Sequence, residues 1–403
     1  MDVRPQLTVV VPAFNESRRL ANSVPRLKWA LEDERLCADS IEFIVVDDGS
    51  TDGTAIRAEE LLAEKFPLLR VLRIHDNAGK GAAIRVGTAA ATAPVVIYMD
   101  ADMAADPNQI PKLAHAIGPA DIAIGSRAHS ESVVVSSTVQ RKVMGRTFNA
   151  MVGALTNMPF RDTQCGFKAL RTPLARLLFH FARVDRFAFD VDLLTTARRL
   201  GMNITEVGIH WREVDGSTVR SLVEPISMAK DVLGVARRRR WPHVPALEVV
   251  PASGERRRSR SRIWEELYSC LGPNFPILAP SEDATLVLLP LCEPLEVHDI
   301  ATHIRHLPTR LRTTERSVSF SEMTELSPFE WLPFWDGGLA VAARTDLRTD
   351  VLATPVGKWP SAAGASERSN GHRRPRPHTN GKVSSTYAGA TRQRGGYGVE
   401  QSA

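Results

Sequence analysis

The sequence predicts an α/β fold in which helices cover both faces of a mostly parallel sheet. Short apolar runs rich in β-branched residues, the first of them Leu7–Val11, recur through the amino-terminal third of the chain. Such runs are typical of strands buried on both faces. Amphipathic helical segments separate them, and a polar cluster follows nearly every run. Regular alternation of strands and helices indicates crossover connections and therefore a parallel sheet.

The elements are predicted in chain order from these patterns. Strands are expected at Leu7–Val11, Ile41–Val46, Leu69–Ile74, Val95–Met99, Asp121–Ile124 and Ile204–Ile209, with a loop and strand in Asp162–Leu170. Helices are expected at Ser17–Leu31, Gly53–Lys65, Gly79–Thr92, Pro107–Ile117, Val139–Thr156, Phe189–Leu200 and Leu222–Arg240. In the first helix, Leu20, Val24 and Leu27 share one face, as an amphipathic helix requires.

The length of 403 residues exceeds one average domain. We expect a catalytic domain over residues 1–241 and a basic linker over 242–262. A small module of unknown fold is expected over 263–356, because Leu, Val, Phe and Trp are frequent there. Residues 357–403 are rich in Ser, Gly, Asn and Arg and are expected to form a disordered basic tail. The arginine runs suit anionic partners, or they are simply a solvated linker.

The composition excludes several classes of protein. Hydrophobic residues make up 43% of the chain and charged residues 24%, as in globular proteins. No stretch approaches the roughly 18 apolar residues of a membrane-spanning helix. No apolar signal-peptide core follows Met1, so we expect a cytoplasmic protein. The four cysteines form no CxxC pair, which argues against a structural zinc site or a disulfide framework.

Polar residues cluster at the ends of the first four predicted strands. The clusters are PAFNE at 12–16, DDGSTDG at 47–53, NAGKG at 77–81 and DAD at 100–102. In open parallel sheets, ligands bind outside the carboxyl ends of the strands. Taken singly, a carboxylate such as Asp52 is often only a helix cap, and the GxG of residues 79–81 is weak support for a phosphate site. Because four clusters are expected at one edge of the sheet, they predict a ligand site together.

The DxD pair is the most informative of these clusters. Asp100 and Asp102 directly follow an apolar strand. Two carboxylates at this spacing can face one hard divalent cation, which prefers oxygen ligands and bridges to phosphate oxygens. A surface turn is the alternative for a DxD taken alone. The pair therefore predicts Mg²⁺ or Mn²⁺ bound beside a diphosphate.

Longer motifs narrow the class further. VVVPAFNE, VVDDGSTDGT, NAGKGAA, MDADMA and IGSR resemble the family-2 glycosyltransferases. RDTQCGFKAL at 161–170, RFAFDVDLL at 186–194 and IHWREVDGS at 209–217 look more like the dolichyl-phosphate β-glucosyltransferases than their mannosyl counterparts. The resemblance covers residues 5–240 and implies a Rossmann-like GT-A fold. It also implies a metal-dependent, inverting enzyme that uses a nucleotide sugar.

The resemblance implies site residues position by position. Residues implied to hold the nucleoside are Pro12, Phe14, Glu16, Val46 and Asp48. Those implied around the diphosphate are Lys80, Asp100, Ala101, Asp102 and Met103, with Asp100 and Asp102 binding the metal. Arg127 and Arg141 would receive the acceptor phosphate. Arg220 would replace the lysine of a family GSK triplet that appears here as Gly216-Ser217-Thr218. Asp190 and Asp192 lie where other inverting relatives keep a catalytic base; here they would act as bases, orient sugar hydroxyls, or lie on a helix surface.

The function implied is transfer of a hexose, glucose from UDP-glucose, to a polyprenyl phosphate at the cytoplasmic face of a membrane. A phosphate monoester has its second pKa near roughly 6, so this acceptor is anionic at neutral pH and needs no strong base. The helix predicted at Leu222–Arg240 would lie on anionic lipid, and no nucleic acid is expected.

Three other functions remain open. A saccharide acceptor would make Asp190 or Asp192 essential as a base, because a hydroxyl group must lose its proton. A nucleotidyltransferase would usually carry a Gly- and Arg-rich loop after the first strand, where this chain has PAFNE. A non-catalytic nucleotide-binding module would have no need of the intact DxD pair.

Overall fold

The computed structural model describes residues 5–32, 38–135, 139–214, 223–251, 260–271, 275–278, 285–307, 311–325 and 399–401. The first nine strands are β1 Leu7–Ala13, β2 Ile41–Asp48, β3 Leu68–Ile74, β4 Val95–Met99, β5 Ile122–Ser126, β6 Val133–Val135, β7 Phe167–Arg171, β8 Ile204–Gly208 and β9 His210–Arg212. The first eight helices are α1 Ser17–Glu32, α2 Thr54–Leu62, α3 Lys80–Ala90, α4 Ile110–Ala116, α5 Val139–Thr156, α6 Thr172–Phe181, α7 Phe189–Arg199 and α8 Val223–Ala236.

The remaining elements follow β9 and α8 in the chain. They are β10 Val244–Pro251, α9 Arg260–Leu271, β11 Ile277–Leu278, β12 Thr285–Leu288, α10 Pro294–Arg305, β13 Leu311–Val318, α11 Phe320–Glu325 and β14 Val399–Gln401. Short 3₁₀ turns precede β2 and α4.

The main sheet is mostly parallel, as predicted. Its strand order is β14-β3-β2-β1-β4-β7-β5-β8. Strands β3, β2, β1 and β4 run parallel to one another, and β5 pairs in parallel with β8. At the edge of the sheet, β14 pairs antiparallel with β3. Strand β7 lies antiparallel between β4 and β5, a direction that the sequence did not predict. The chain therefore enters β7 at the edge of the sheet where β4 ends, next to the DxD pair.

Continuous apolar runs form the centre of the sheet, because helices cover both of its faces. All eight residues of β2 are buried, and Leu20, Val24 and Leu27 of α1 pack in the cluster on one face. Strand β4 and helix α5 have the predicted bounds. Helix α6, which the sequence analysis did not assign, begins with Pro173 near its first position, where proline is favoured. Its apolar face belongs to the cluster on the other side of the sheet.

The residues after α8 form a second sheet with the order β11-β12-β10-β13. All of its pairings are antiparallel. The succession β10-α9-β11-β12-α10-β13 in this order is the split βαβ topology of ferredoxin-like folds. Strand side chains alternate between the two faces of a sheet. Here Leu247 and Val287 pack under α9 and α10, whereas Ala246 and Leu286 pack into the core of the main sheet.

This arrangement corrects the predicted domain boundaries. Much of the predicted linker 242–262 is strand β10, which pairs with β12 on one side and β13 on the other. The second sheet therefore begins before the module predicted at 263–356. In the tail predicted to be disordered, Val399–Gln401 pairs with β3 at the edge of the main sheet, and the rest of 357–403 lies outside the described residues. Within the described ranges, no helix is long and apolar enough to cross a membrane.

In the carboxyl-terminal part of α8, where the structure describes the side chains, the valines pack inside the protein and not toward a lipid surface. Val232 and Val235 are buried, and Val232 belongs to the main core cluster. After the helix, Arg238 is held by Asp192 in a two-bonded ion pair. Packing within the protein therefore explains the apolar residues in this part of the helix.

We predict that a chain ending at residue 242 loses its cooperative fold, because the second sheet shares the main core. Val244, Leu286, Leu288, Val318 and Met323 all enter that core cluster. Burying one such side chain contributes about 1.5–3 kcal/mol, so their sum is comparable with the whole stability of a domain, about 5–15 kcal/mol. Urea unfolding, monitored by circular dichroism, compares the chain ending at residue 242 with one ending at residue 325. Equal urea midpoints for the two chains would contradict the prediction.

Candidate functional site

The first two polar loops are joined to each other by reciprocal hydrogen bonds. The Asn15 amide donates to Ser50 Oγ at 2.8 Å, and the Thr51 amide donates to Asn15 Oδ1 at 3.0 Å. The Glu16 amide donates to Thr54 Oγ1 at 2.9 Å. Asn15 has a φ of 53°, a left-handed conformation that asparagine tolerates better than most residues. These bonds hold the Glu16 side chain at the edge of the sheet.

Asp48 holds the third loop. Its Oδ1 accepts the amide of Ala78 at 2.8 Å, and its Oδ2 accepts the amide of Gly79 at 2.8 Å and the side-chain amide of Asn77 at 3.0 Å. Burial raises the pKa of Asp48, and the two backbone hydrogen bonds partly offset this. The carboxylate was expected near the ribose or base; in the structure it is buried and fixes the path of the loop.

The GxG sequence is explained by packing. Gly79 has a φ of 107°, and a Cβ there would lie 2.5 Å from the carbonyl oxygen of Asp185. That same oxygen accepts the amides of Gly81 and Ala82 at 2.7 and 3.2 Å. The free amides at the start of α3 are therefore used within the protein. What α3 contributes to the site is Lys80, whose Nζ lies 2.6 Å from Asp100 Oδ1.

The DxD turn is held from two sides. Asp102 Oδ1 accepts the amide of Ala104 at 3.0 Å. On α1, Ser23 donates to the carbonyl of Asp102 at 3.0 Å and Arg26 donates to that of Met103 at 3.2 Å. Met103 has a φ of 48°, which closes the turn. The side chain of Asp100 remains 40% exposed, so it is accessible to a ligand.

Negative charge accumulates at this edge of the sheet. Burial raises the pKa of Glu16 to about 7, and the carboxylates of Asp102 and Asp100 add to the rise, while Arg19 opposes it. The pKa of Asp102 is raised by burial and then by Asp100. Glu16 Oε2 is buried and has no hydrogen-bond partner in the described structure. The carboxylates of Asp102 and Asp100 thus oppose the ionisation of Glu16, and that of Asp100 opposes the ionisation of Asp102. A cation is favourable at such a position.

These side chains fit a divalent metal as oxygen ligands. The described residues contain no preassembled group of three metal-ligating side chains. Mg²⁺ is commonly bound by one or two carboxylates, with phosphates and waters completing its shell. The arrangement therefore suits an ion that arrives with a diphosphate.

Arg127 is fixed by a residue that the site prediction omitted. Its Nε and Nη2 donate to Asp162 Oδ2 and Oδ1 at 2.7 and 3.0 Å, and its backbone amide donates to Oδ2 at 2.9 Å. The guanidinium also lies over the ring of Trp211, 5.6 Å from the ring centre. Although burial alone would lower it, the pKa of Arg127 is raised by the hydrogen bonds and charge of Asp162. Asp162 was visible in the motif RDTQCGFK, but its partner was not.

Asp190 and Asp192 are both buried and paired. Asp190 Oδ1 accepts hydrogen bonds from Lys168 and from the Tyr98 hydroxyl, each at 2.7 Å. Asp192 receives two bonds from Arg238, at 2.6 and 2.7 Å, and a third from the amide of Arg183 at 2.8 Å. The carboxylate of Asp192 is therefore enclosed and fastens α7 to the segment after α8, which favours a structural role over that of a base. Asp190 is engaged in the same way with a buried lysine.

The remaining predicted site residues differ in how far their side chains are exposed. The Phe14 ring is 42% exposed, and Pro12 is half-buried. Val46 is fully buried within the core, so the structure does not bring its side chain to the surface of the site. The side chains of Ala101 and Met103 are buried as well. Arg141 lies on α5, but its side chain is outside what the structure describes; Arg220 lies outside the described residues.

An open α/β sheet with loops gathered at the carboxyl ends of its strands and paired carboxylates after the central strand defines a nucleotide-binding α/β enzyme. The sequence profile described as Glycosyl transferase family 2 matches residues 8–176. The dolichyl-phosphate beta-glucosyltransferase of Dictyostelium discoideum is 34% identical over 240 residues, covering 57% of this chain and 73% of that protein. That of Homo sapiens is 34% identical over 245 residues, covering 58% and 75%. The chain belongs to glycosyltransferase family 2.

Solved structures resemble the chain more distantly. Glucosyl-3-phosphoglycerate synthase from Mycobacterium tuberculosis, in complex with Mn²⁺, UDP and glucosyl-3-phosphoglycerate, is 22% identical with a TM-score of 0.42, and the match covers 57% of this chain and 78% of that one. S. aureus TarS in complex with UDP-GlcNAc is 18% identical with a TM-score of 0.40, covering 57% and 66%.

We predict that Glu16→Gln stabilises the metal-free protein at neutral pH. Between the ordinary pKa of 4.5 and about 7, the folded protein keeps a proton that the unfolded chain has released. The wild type therefore loses stability as the pH rises through this interval. Glutamine stays neutral, so the advantage of the variant grows over the same interval to on the order of 1–3 kcal/mol and is constant above it.

Urea unfolding in a chelator at several pH values measures this difference. Glu60→Gln serves as the matched control, because Glu60 is exposed and pairs only with the neighbouring Arg57 on the surface. A stability difference for Glu16→Gln that does not change between pH 4.5 and 8 would show that the carboxyl titrates normally.

Proposed function

We propose that this enzyme transfers glucose from UDP-glucose to a polyprenyl phosphate of the dolichyl type, with inversion at the anomeric carbon. The observation that carries the choice of acceptor is the pairing of the two candidate bases. Asp190 and Asp192 are each buried and bonded to a cationic side chain. A hydroxyl acceptor would need a base, whereas a phosphate acceptor is already ionised. The names of the relatives, dolichyl-phosphate beta-glucosyltransferases, support the same acceptor.

The donor would lie across the ends of β1, β2 and β4. The exposed Phe14 ring offers a flat surface for the base, and Pro12 lies beside it in the chain. Asp100 and Asp102 would hold Mg²⁺ or Mn²⁺, and Lys80 lies within bonding distance of Asp100. When bound, the metal would neutralise negative charge on the departing nucleoside diphosphate. Lys80 adds a fixed positive charge beside the same phosphates.

Arg127 would receive the acceptor phosphate. Its Nε and Nη2 donate to Asp162. This ion pair fixes the orientation of the guanidinium group, and with it the direction of the remaining donors. Arginine suits this task because its planar donors match phosphate oxygens. One acceptor oxygen then forms the bond to the anomeric carbon as the bond from that carbon to the diphosphate breaks. Attack from the opposite face converts an α-linked donor into a β-linked sugar phosphate.

A lipid acceptor requires the protein to work at a membrane surface, and we propose its cytoplasmic face. Because Val232 and Val235 of α8 pack inside the protein, we propose that the attraction is electrostatic. Arg237, Arg239 and Arg240 are exposed just beyond α8, and basic residues near an anionic leaflet contribute about 1 kcal/mol each. Contact through these arginines would be peripheral and sensitive to salt.

The direct test is incubation of the protein with radiolabelled nucleotide sugars and defined polyprenyl phosphates, followed by extraction into organic solvent. Label is expected in the organic phase with UDP-glucose and a polyprenyl phosphate together. Label that instead follows a water-soluble saccharide would overturn the acceptor and leave the glycosyltransferase class intact.

We predict that Asp102→Asn removes most turnover and leaves the fold intact. Asparagine keeps the shape of the side chain and the bond accepted from Ala104, but it removes the charge that holds the metal. Activity over a Mn²⁺ titration, with the melting temperature as a check on folding, measures the effect. Near-normal turnover with unchanged metal dependence would contradict the assignment of Asp100 and Asp102 as metal ligands.

We predict that Arg127→Ala impairs transfer and leaves donor binding nearly unchanged. Losing a charge-assisted contact costs about 1.5–3 kcal/mol, or roughly tenfold to a hundredfold in turnover. Asp162→Asn should reduce transfer in the same direction, because the guanidinium loses its partner. Rates for the two variants and calorimetric titrations with UDP-glucose separate the steps. Arg57→Ala, at an exposed ion pair on α2, is the control. Full activity of Arg127→Ala would exclude this arginine as the phosphate ligand.

A further inference from the structure

A buried charge cluster lies beside the site and takes no part in the proposed reaction. Lys168 on β7 and Tyr98 on β4 are cross-strand neighbours, and both are almost fully buried. The Lys168 ammonium and the Tyr98 hydroxyl donate to the same oxygen, Asp190 Oδ1, each at 2.7 Å. Burial and the Asp190 charge raise the pKa of Tyr98 well above its ordinary value, so the phenol remains a donor.

Lys168 also fixes a turn of the chain. Its ammonium donates a second bond, at 2.6 Å, to the carbonyl oxygen of Cys165. The same ammonium therefore ties the Cys165–Gly166 turn to Asp190 at the start of α7. Cys165 is itself buried, which leaves the turn little freedom to move.

Gly166 of this turn packs directly on the Asp100 carboxylate. A Cβ at residue 166 would overlap the carboxylate of Asp100, so the close approach requires glycine. The Asp100 carboxylate also forms an ion pair with Lys80 Nζ, at 2.6 Å. The orientation of the first DxD carboxylate thus depends on where the Cys165–Gly166 turn is held.

We propose that Lys168 and Asp190 are positioning residues, whose buried ion pair holds the Cys165–Gly166 turn against Asp100 and so sets the geometry of the metal-binding carboxylates. The inference rests on the proposed function through the metal role of Asp100 and Asp102. Buried ion pairs are poor sources of stability, because apolar replacements are often neutral or stabilising. A buried pair at this location is better explained by the geometry that it imposes on the neighbouring ligand.

The first test adds a methyl group to the turn. Gly166→Ala forces the Asp100 carboxylate to move without altering any charge. Support residues of a metal site typically change metal affinity by about 10–100-fold, and we expect Mn²⁺ binding in the presence of UDP to weaken within that range. Electron paramagnetic resonance of free Mn²⁺ measures it, and calorimetry measures UDP binding without metal, which should not change. Gly234→Ala is the matched control, since a Cβ there meets nothing.

The second test separates positioning from stability. Lys168→Met alone leaves Asp190 buried without its cation, so it is expected to lower the melting temperature. The double variant Lys168→Met/Asp190→Asn removes both charges and should recover the melting temperature. Its Mn²⁺ affinity should stay weakened by about 10–100-fold, because the bond to the Cys165 carbonyl is still missing. A purely structural pair would recover both quantities together.

The outcomes distinguish this inference from its premise. Normal Mn²⁺ affinity in Gly166→Ala, or in a folded double variant, overturns the positioning role while the metal site stands. A wild type that binds UDP but shows no Mn²⁺ binding overturns the metal role of Asp100 and Asp102, and the positioning role with it. Weakened Mn²⁺ binding in both variants, with Gly234→Ala unchanged, supports the inference.

Discussion

Strand β7, antiparallel between β4 and β5, is the constraint on which the site depends. Because β7 runs against its neighbours, the chain that leads into it lies at the carboxyl ends of β4 and β5. That segment carries Asp162, which holds Arg127, and Gly166, which packs on Asp100. A parallel strand in the same place would have put this segment at the other edge of the sheet. One reversal of direction therefore joins the half of the site proposed to bind the metal to the half proposed to hold the acceptor.

The acidic residues divide into two kinds by their surroundings. Asp162, Asp190 and Asp192 are buried and each is bonded to a cationic side chain. Glu16 and Asp102 are also largely enclosed, but other carboxylates surround them and raise their pKa. The paired acids are satisfied by the protein and stabilise its geometry. Glu16 pairs with Arg19 and Asp100 pairs with Lys80, but neighbouring carboxylates still oppose the ionisation of Glu16 and Asp102. A bound cation would relieve this repulsion, and the difference supports the proposed position of the metal.

The sequence predicted the strand ends well and the partners of the acids poorly. Apolar runs and polar clusters are local, so the position of Asp100 and Asp102 directly after a buried strand could be predicted from the pattern alone. The roles of Asp190 and Asp192 could not be, because Lys168 and Arg238 lie 22 and 46 residues away in the chain. The same reason explains the error at residues 242–262, where the arginine-rich composition suggested a linker. Strand β10 forms there because its successive side chains point to opposite faces of the sheet. Ala246 packs into the core of the main sheet, and Leu247 packs into the core under α9 and α10.

The second sheet bears on the catalytic domain through α6 and α7. Phe181 at the end of α6 packs edge-on against Trp241 and Phe320, which stack on each other with ring centres 4.1 Å apart. His180 Nε2 bonds to the carbonyl of His243 at 2.8 Å, and its Nδ1 accepts the amide of Leu291 at 3.4 Å, so the neutral ring is bonded at both nitrogens. These contacts clamp the segment between α6 and α7 from outside. Since Asp190 lies in the first turn of α7, the second sheet supports the same buried ion pair that β7 approaches from within the main sheet. The protein thus holds α7, and with it the turn beside Asp100, through a core cluster that the two sheets share.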